Sequence, residues 1–239
     1  MDKQRNIKGN QMKVSVIVPN HGRDISILKS SLPKDVELLE IDLGLERSIQ
    51  RNIGMLRATG DAYLILDSDQ SIEEGLIEEC TRLCGHGFSC IYIPEVLVVK
   101  SFFGKIRKFE REFYTGTAID VPRFVLANAC GFFDEDLSGP EDSDWDRKLQ
   151  GFRAISRKCL YHHDNIGILQ YFRKKAYYAR SLRAFSRKWP DDKCLNFKYR
   201  CWTVFTEKGK WKKLVRHPFL SLGIFFIILI RGIIYVTNK

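Results

Sequence analysis

The run Tyr63-Leu64-Ile65-Leu66 ends abruptly in Asp67-Ser68-Asp69. Apolar residues in unbroken succession read as a buried strand. Carboxylates just past the C-terminal end of such a strand stand at the rim of a sheet, where open α/β folds bind ligands. Two hard oxygen ligands there suit Mg²⁺ or Mn²⁺ carrying a diphosphate. The plainer reading is an acidic turn, since Asp and Ser favour turns in any case.

The surrounding pattern supports the sheet. Residues 14–18 (VSVIV) read as a strand, and Pro19-Asn20-His21-Gly22 as the turn after it. Residues 36–41 form a second strand that ends at Asp42. Residues 46–58 have helical period, with Ile49, Ile53 and Leu56 on one face and Gly60 as the stop. Residues 72–84 read as another helix and residues 90–99 as another strand. Strands and helices in alternation with short links predict a mostly parallel central sheet flanked by helices. Beyond residue 100 the pattern changes to an amphipathic, mixed-charge stretch over 101–125. Gly131 and Gly139-Pro140 then lead into a helix near Glu141, and 165–190 reads as one basic amphipathic helix. Residues 1–11 are polar and aperiodic, so a disordered tail is expected before a domain over 12–200.

Charge is unevenly placed. Residues 151–216 hold eighteen Lys/Arg against four acids, although the whole chain carries a net charge of only +10. The rest is therefore mildly acidic. Such a band suits anionic lipid, a phosphorylated substrate or nucleic acid. The seven cysteines are odd in number and include no CxxC pair, which argues against a disulfide framework and a zinc ribbon. A reducing cytosolic setting is expected, and the N-terminus shows no signal-peptide core.

Residues 218–236 (PFLSLGIFFIILIRGIIYV) are the most apolar stretch, after the basic lead-in Lys208, Lys210, Lys212, Lys213 and Arg216. The uninterrupted core over 219–230 is shorter than the roughly 20 residues that span a bilayer. A tilted span with Arg231 snorkelling, a helix lying in the interface and a buried helix all remain open. The basic lead-in favours the membrane and its cytoplasmic side. Residues 201–239 are therefore expected to form a juxtamembrane stretch and a membrane-associated helix.

A second acidic cluster, Glu141-Asp142-Ser143-Asp144-Trp145-Asp146, follows Gly139-Pro140. Acids in the first turn of a helix complement its dipole and cap its free N–H groups. Four crowded carboxylates also repel one another, which raises at least one pKa, as a general base requires. One cluster would supply a metal and the other a base. That division suits transfer of a group from a nucleotide diphosphate to a hydroxyl.

With both clusters in view, the chain from about residue 13 to 188 resembles the inverting, family-two glycosyltransferases of the GT-A fold. Residues 14–23, with Pro19, Asn20 and Arg23, look like the family's first nucleotide-contact element. Asp42 falls where such enzymes place an acid on the base or ribose. Arg47-Ser48, Arg51-Asn52-Ile53-Gly54 and Ala58-Thr59-Gly60-Asp61 match the helix before the metal strand. Asp67-Ser68-Asp69 corresponds to the DxD motif, which implies Asp67 on the ribose and Asp69 on the metal. Gly131-Phe132-Phe133-Asp134-Glu135 resembles the GGFDE segment, with Phe132 in place of its second Gly. Glu141-Asp142 matches the ED motif, whose Asp is the usual catalytic base. His162 falls where relatives carry a His near the metal and diphosphate, and the adjacent His163 competes for that role. The loop after Asp42 is Leu43-Gly44-Leu45 instead of the usual acidic, Gly-Ser-rich sequence.

The resemblance implies a Mg²⁺- or Mn²⁺-dependent enzyme that moves a sugar from a nucleotide sugar to a hydroxyl or lipid-linked acceptor at the cytoplasmic face of a membrane. Arg51 and the basic helix would steady phosphates, and no nucleic acid is involved. Two readings compete. A nucleotidyltransferase shares the fold and the carboxylate-bound metal, but the expected Gly-rich basic loop after the first strand is missing. A non-enzymatic basic module for membrane or RNA would use Tyr171, Phe172, Tyr177, Tyr178 and Phe185, whose spacing equally fits a helix packed on a core.

Overall fold

The computed structural model describes residues 12–164 and 166–237, so the expected tail over 1–11 lies outside the described residues. Strand β1 (Val14–Asn20) is the centre of the fold, with its side chains buried on both faces. Val14, Val16 and Val18 enter one apolar cluster and Ile17 enters another, following the two-residue period of a strand. Helix α1 (Ser26–Ser31) leads to β2 (Glu37–Asp42), and α2 (Arg47–Arg57) leads to β3 (Ala62–Ile65). Both β2 and β3 pair with β1 in parallel. Asp42 and the Asp67-Ser68-Asp69 turn therefore lie at one edge of the sheet, its C-terminal edge.

The chain then departs from the simple alternation. The stretch expected to be helical from residue 72 opens as a short strand, β4 (Gln70–Ile72), and α3 (Leu76–Gly85) begins after it. The strand expected over 90–99 is two, β5 (Phe88–Tyr92) and β6 (Glu95–Leu97), which enter different sheets. Pro94 stands at the break, where it has no N–H to continue a ladder. Helix α4 (Phe102–Arg111) and β7 (Phe124–Leu126) follow. Next come α5 (Glu141–Lys148), β8 (Phe152–Ile155) and β9 (Leu160–His162).

The large sheet has the order β2-β1-β3-β7-β5-β8. Strand β7 runs antiparallel to both β3 and β5, while the other five strands run in one direction, so the sheet is mostly parallel as expected, with one reversed strand. The small sheet has the order β4-β9-β6. One core lies under α1 and α3 on one face of the large sheet. The other holds Ile17, Ile65, Phe133 and Trp145 on the opposite face.

The expected apolar face of α2 is not the buried one. Leu56 is 71% exposed, whereas Gln50, Arg51, Asn52 and Met55 are buried. The reason is close approach. A Cβ at Gly54 would stand 2.3 Å from Ile17 Cγ2, so only glycine lets this face sit down on β1. The polar side chains on that face find partners at the sheet edge, described below.

The C-terminal third is helical: α6 (Ile168–Ala179), α7 (Leu182–Lys188), the short α8 (Val204–Thr206), α9 (Trp211–Arg216) and α10 (Pro218–Thr237). The single basic helix expected over 165–190 is thus broken between α6 and α7. Ser181 at the break accepts a hydrogen bond from the backbone N–H of Ser138 at 3.1 Å. Helix α10 is long and apolar enough to cross a membrane by composition, with mean hydropathy 2.4. One of its faces is docked. Ile224 and Ile227 share a cluster with Ile106, Phe109 and Tyr171, and Arg231 pairs with Glu110 of α4. The opposite face leaves Phe219, Leu222, Phe225, Phe226, Leu229 and Ile233 exposed. The described part of the expected juxtamembrane segment, residues 201–237, therefore shares a core with α4 and α6.

Candidate functional site

The two acidic clusters, far apart in sequence, meet at one side chain. Arg51 of α2 is fully buried, and its guanidinium is split between them. Nη2 lies 3.0 Å from Asp67 Oδ1, and Nη1 lies 2.5 Å from Asp142 Oδ1. Glu141 Oε1 is 3.7 Å from the same Nη1 and 2.7 Å from Arg47 Nη2. The ring of Phe133 packs against Arg51 at 5.1 Å, and Phe133 itself stacks on Trp145 at 4.5 Å. Asn52 fastens the same loop. It accepts from Phe133 N at 2.8 Å and donates to Glu135 Oε1 at 2.8 Å. Buried polar groups persist when partnered in this way. The polar face of α2 is thus the clamp that joins the sheet edge to α5.

Asp67 and Asp69 are held in a tight turn. Gln70 N–H donates to the Asp67 carbonyl at 3.0 Å, and Asp67 N–H donates to Gln70 Oε1 at 2.9 Å. Desolvation would raise the Asp67 pKa, but Arg123, Arg51 and Arg47 hold it well below the usual carboxylate range. The small sheet sets the partner of Asp69. In β9, His162 pairs with Gln70 of β4 on one side and Leu97 of β6 on the other. His162 Nε2 stands 3.2 Å from Asp69 Oδ1, and its Nδ1 stands 2.6 Å from Glu95 Oε1. Burial works against the charged imidazole, yet these two carboxylates push its pKa up to about 9. His163 turns elsewhere, to Ser71 Oγ at 2.9 Å, so His162 is the one that faces Asp69.

Among the described residues no group of three or more His, Cys, Asp and Glu side chains is placed to hold a metal. Two protein ligands are nonetheless what a diphosphate-carrying ion uses, because phosphate and water complete its shell. Asp69 would supply one oxygen, and His162 one nitrogen once the ion displaces the proton that it shares with Asp69. Glu95 behind Nδ1 is the outer partner that fixes the tautomer of a ligating imidazole. The donor set therefore fits Mg²⁺ or Mn²⁺. Replacing Glu95 by Gln should weaken metal-dependent nucleotide binding by roughly 10–100-fold, the usual scale for an outer-shell partner. Calorimetric titration with and without Mn²⁺ checks this.

In α5 the acids divide by direction. Asp142 keeps a quarter of its side-chain surface exposed and lines the cleft, whereas Glu141 is almost wholly buried. Burial and the neighbouring Asp142 raise the Glu141 pKa. Burial would raise Asp142 as well, but Arg51, Arg123 and Arg47 hold it low. The raised carboxyl is therefore the enclosed one. Asp144 is buried away from the cleft against Lys188 at 2.9 Å and Trp189 Nε1 at 3.0 Å. Asp146 pairs with Arg147 and Arg153. No side chain caps the helix at Pro140, so capping does not account for the cluster.

These groups open on a cleft of about 530 Å³. Arg23, Arg47, Asp67, Asp69, Asp142 and His162 line it, as does α6 through Lys174, Lys175 and Tyr178. Gly139 adopts φ +108, and a Cβ there would stand 2.5 Å from Tyr178 Cβ, so glycine lets α6 close over the acid loop. Arg23 Nη1 lies 2.9 Å from Asp69 Oδ2.

Five expected site residues do not line the cleft, and one of them is Glu141, enclosed behind Asp142 and paired with Arg47. Pro19 is buried within β1. Asn20 is buried too, and its amide is spent on the turn. It accepts from the N–H groups of His21 and Arg23 and donates to the Arg23 carbonyl and Glu40. Arg51, fully buried between carboxylates, has no free Nη group to offer a phosphate. Pro19, Asn20 and Arg51 therefore shape the site from behind and do not contact a substrate with their side chains. Asp42 is exposed at the end of β2, where it accepts from Gly22 N–H at 3.0 Å. Glu95 and Arg123 belong to the site without having stood out in the sequence.

No protein-family model matches the chain, and no curated protein matches it. Among solved structures, the crystal structure of S. aureus TarS aligns at 16% identity and a TM-score of 0.48 over 72% of this chain. The alignment spans 40% of the length of that TarS chain. S. aureus TarS 1-349 in complex with UDP-GlcNAc aligns at 16% identity and a TM-score of 0.48, over 95% of this chain and 91% of that one. The complex of the same fragment with UDP gives 15% and 0.47 over the same shares. A likeness this distant carries no function across to this chain.

Proposed function

We propose that the chain is a metal-dependent inverting glycosyltransferase that moves a sugar from a nucleotide diphosphate to a hydroxyl of a lipid-linked or membrane-held acceptor. One observation carries this reading: buried Arg51 joins the carboxylate pair after β3 to Asp142 of α5, and the Asp69–His162–Glu95 line stands beside them. The arrangement separates two tasks within one cleft.

Asp69 and His162 would hold the divalent ion, which when bound would supply the positive charge that a leaving diphosphate needs. Arg47 and Lys174 line the same part of the cleft as cations for the remaining phosphate oxygens. Asp142 Oδ accepts the proton of the acceptor hydroxyl. The oxygen then attacks the anomeric carbon from the face opposite the diphosphate, and one displacement inverts the configuration. Arg51 orients Asp142 and keeps it ionised, so the base is ready without prior deprotonation. A screen of UDP and GDP sugars tests the reading, with release of the nucleoside diphosphate expected only with Mg²⁺ or Mn²⁺. Release of pyrophosphate would point to nucleotidyl transfer instead.

Membrane attachment on the cytoplasmic face belongs to the same proposal. Helix α10 docks one face on α4 and α6, and both of those helices carry Lys and Arg. A spanning α10 would drag these charges into the hydrocarbon, at a cost of several kcal/mol. A helix lying in the interface, bare face toward lipid and Lys208, Lys212, Lys213 and Arg216 toward anionic headgroups, avoids that. Truncating the chain before α10 would bare its docking core. A cleaner test replaces Leu222, Phe225 and Phe226, all exposed, by Ser. The triple variant should leave the membrane pellet with an unchanged melting temperature. Continued pelleting would remove this mode of attachment.

A further inference from the structure

The cleft has a second cationic end that the transfer chemistry does not use. Most of its arginines are matched by carboxylates: Arg107 with Asp164, Arg111 with Glu95, and Arg231 beneath it with Glu110. Lys174, Lys175 and Arg200 have no such partner among the described residues. Among the described residues Lys175 meets no carboxylate within ion-pair distance. Its ammonium instead lies 5.5 Å from the Tyr171 ring and 5.9 Å from the Tyr178 ring. Arg200 donates to the Cys194 carbonyl at 2.9 Å and lies 6.0 Å over the ring of Tyr235, a residue of α10. Both cations, with Tyr171 and Tyr235, line the cleft. Burial first, and then Arg231, push the Lys175 ammonium down to about 7. Uncompensated charge in a half-enclosed place is unfavourable until an anion joins it.

Position says which anion. Lys174, the next residue, feels Asp67 and Asp69 and so belongs with the donor diphosphate. Lys175 lies beside Tyr171, whose hydroxyl stands 3.4 Å from Arg231 of α10, and Arg200 lies over Tyr235 of α10, so both cations stand at the wall made by that helix. The outer face of α10 is bare apolar surface. Tyr235 of α10 lines the cleft, and the exposed Val236 beside it leads to that bare face, so a ligand with its charge at Lys175 reaches apolar surface around the C-terminal end of α10.

We infer that Lys175 and Arg200 bind the phosphate of a prenyl-phosphate-linked glycan acceptor, whose sugar carries the attacking hydroxyl and whose hydrocarbon tail leaves along α10. This identification of the ligand as acceptor rests on the transferase reading above, whereas the binding site itself stands on the geometry alone. Tyr171 and Tyr235 flank the phosphate and begin the apolar path. Asp142 lies toward the donor end of the same cleft, where the acceptor hydroxyl must arrive.

The test is calorimetric titration of the full chain in detergent with farnesyl phosphate, farnesol and inorganic phosphate, beside UDP and GDP with Mn²⁺. Farnesyl phosphate should bind more tightly than either farnesol or phosphate alone. Lys175→Met and Arg200→Gln should each weaken it by roughly 10–100-fold, the scale for hydrogen bonds to charged groups. Nucleoside diphosphate binding should be unchanged in both variants, which also reports that they fold, and Lys175→Arg should restore farnesyl phosphate binding. Unchanged farnesyl phosphate binding in Lys175→Met and Arg200→Gln would overturn the site. Equal loss of nucleoside diphosphate would assign these cations to the donor and overturn it as well. Inorganic phosphate binding as tightly as farnesyl phosphate would remove the lipid tail from the proposal. Phosphatidylglycerol vesicles that bind wild type but not Lys175→Met, with no farnesyl phosphate binding, would move the site to bulk headgroups. If wild type binds neither UDP nor GDP but holds farnesyl phosphate through Lys175, the transferase reading fails and the phosphate site stands.

Discussion

Asp142→Asn should lower sugar transfer by roughly 10²–10⁴-fold while leaving nucleotide binding and melting temperature near those of the wild type. The amide keeps the size of the side chain and can still accept a hydrogen bond from Arg51, but it cannot take up a proton. Its neighbour supplies the control. Asp144 is wholly buried between Lys188, Lys148 and Trp189, so Asp144→Asn removes charge from a structural ion pair. That change should cost about 1–3 kcal/mol of stability, with little effect on turnover of the folded enzyme. Because Arg51 depresses the Asp142 carboxyl, an acid limb of kcat/KM assigned to this residue falls below its ordinary value of 3.8. Near-normal turnover in Asp142→Asn would remove it as the base.

Asp69→Asn should reduce activity to background, almost as completely as Asp69→Ala. A hard cation depends on the full carboxylate charge, and a neutral amide withdraws it. The same change leaves Arg23 without its 2.9 Å partner, but Arg23 is largely exposed, so little stability is lost. Metal-dependent nucleotide binding should disappear in both variants, while the folded protein persists. Titration of nucleotide with Mn²⁺, and again with excess chelator, reads the effect. Activity that survives in chelator would exclude the metal site at Asp69 and His162.

The parts of this molecule that were legible in the sequence are those governed by local pattern. The run over 63–66, the strand over 14–18 and the acid-led helix at Glu141 announce themselves through continuous burial or turn chemistry. Other parts depend on long-range partners. The polar side of α2 is buried because Gln50, Arg51 and Asn52 each find a partner brought by another segment, such as Asn20, Asp142 or Phe133. Helical periodicity sees only Ile49, Ile53 and Leu56, and so selects the wrong face. The small sheet is built from three-residue strands, too short for a period to register. Glu95 was hidden within a strand that Pro94 divides, although an acid beside a proline in an apolar run was a signal of an interrupted element. The docking of α10 was likewise invisible, because Arg231 reads as a flaw in an apolar helix until Glu110 stands opposite.

For inverting sugar transfer the two acidic clusters must act as a single transfer site. Product analysis decides whether they do: wild type, Asp69→Asn and Asp142→Asn are each incubated with the donor sugar nucleotide, Mn²⁺ and a prenyl-phosphate-linked glycan that carries a free hydroxyl. The wild type should give glycosylated acceptor of inverted configuration and equimolar nucleoside diphosphate. Asp142→Asn should bind nucleotide without forming product, and Asp69→Asn should do neither. Pyrophosphate as product, retained configuration, or unimpaired transfer by either variant would contradict a single inverting transfer site.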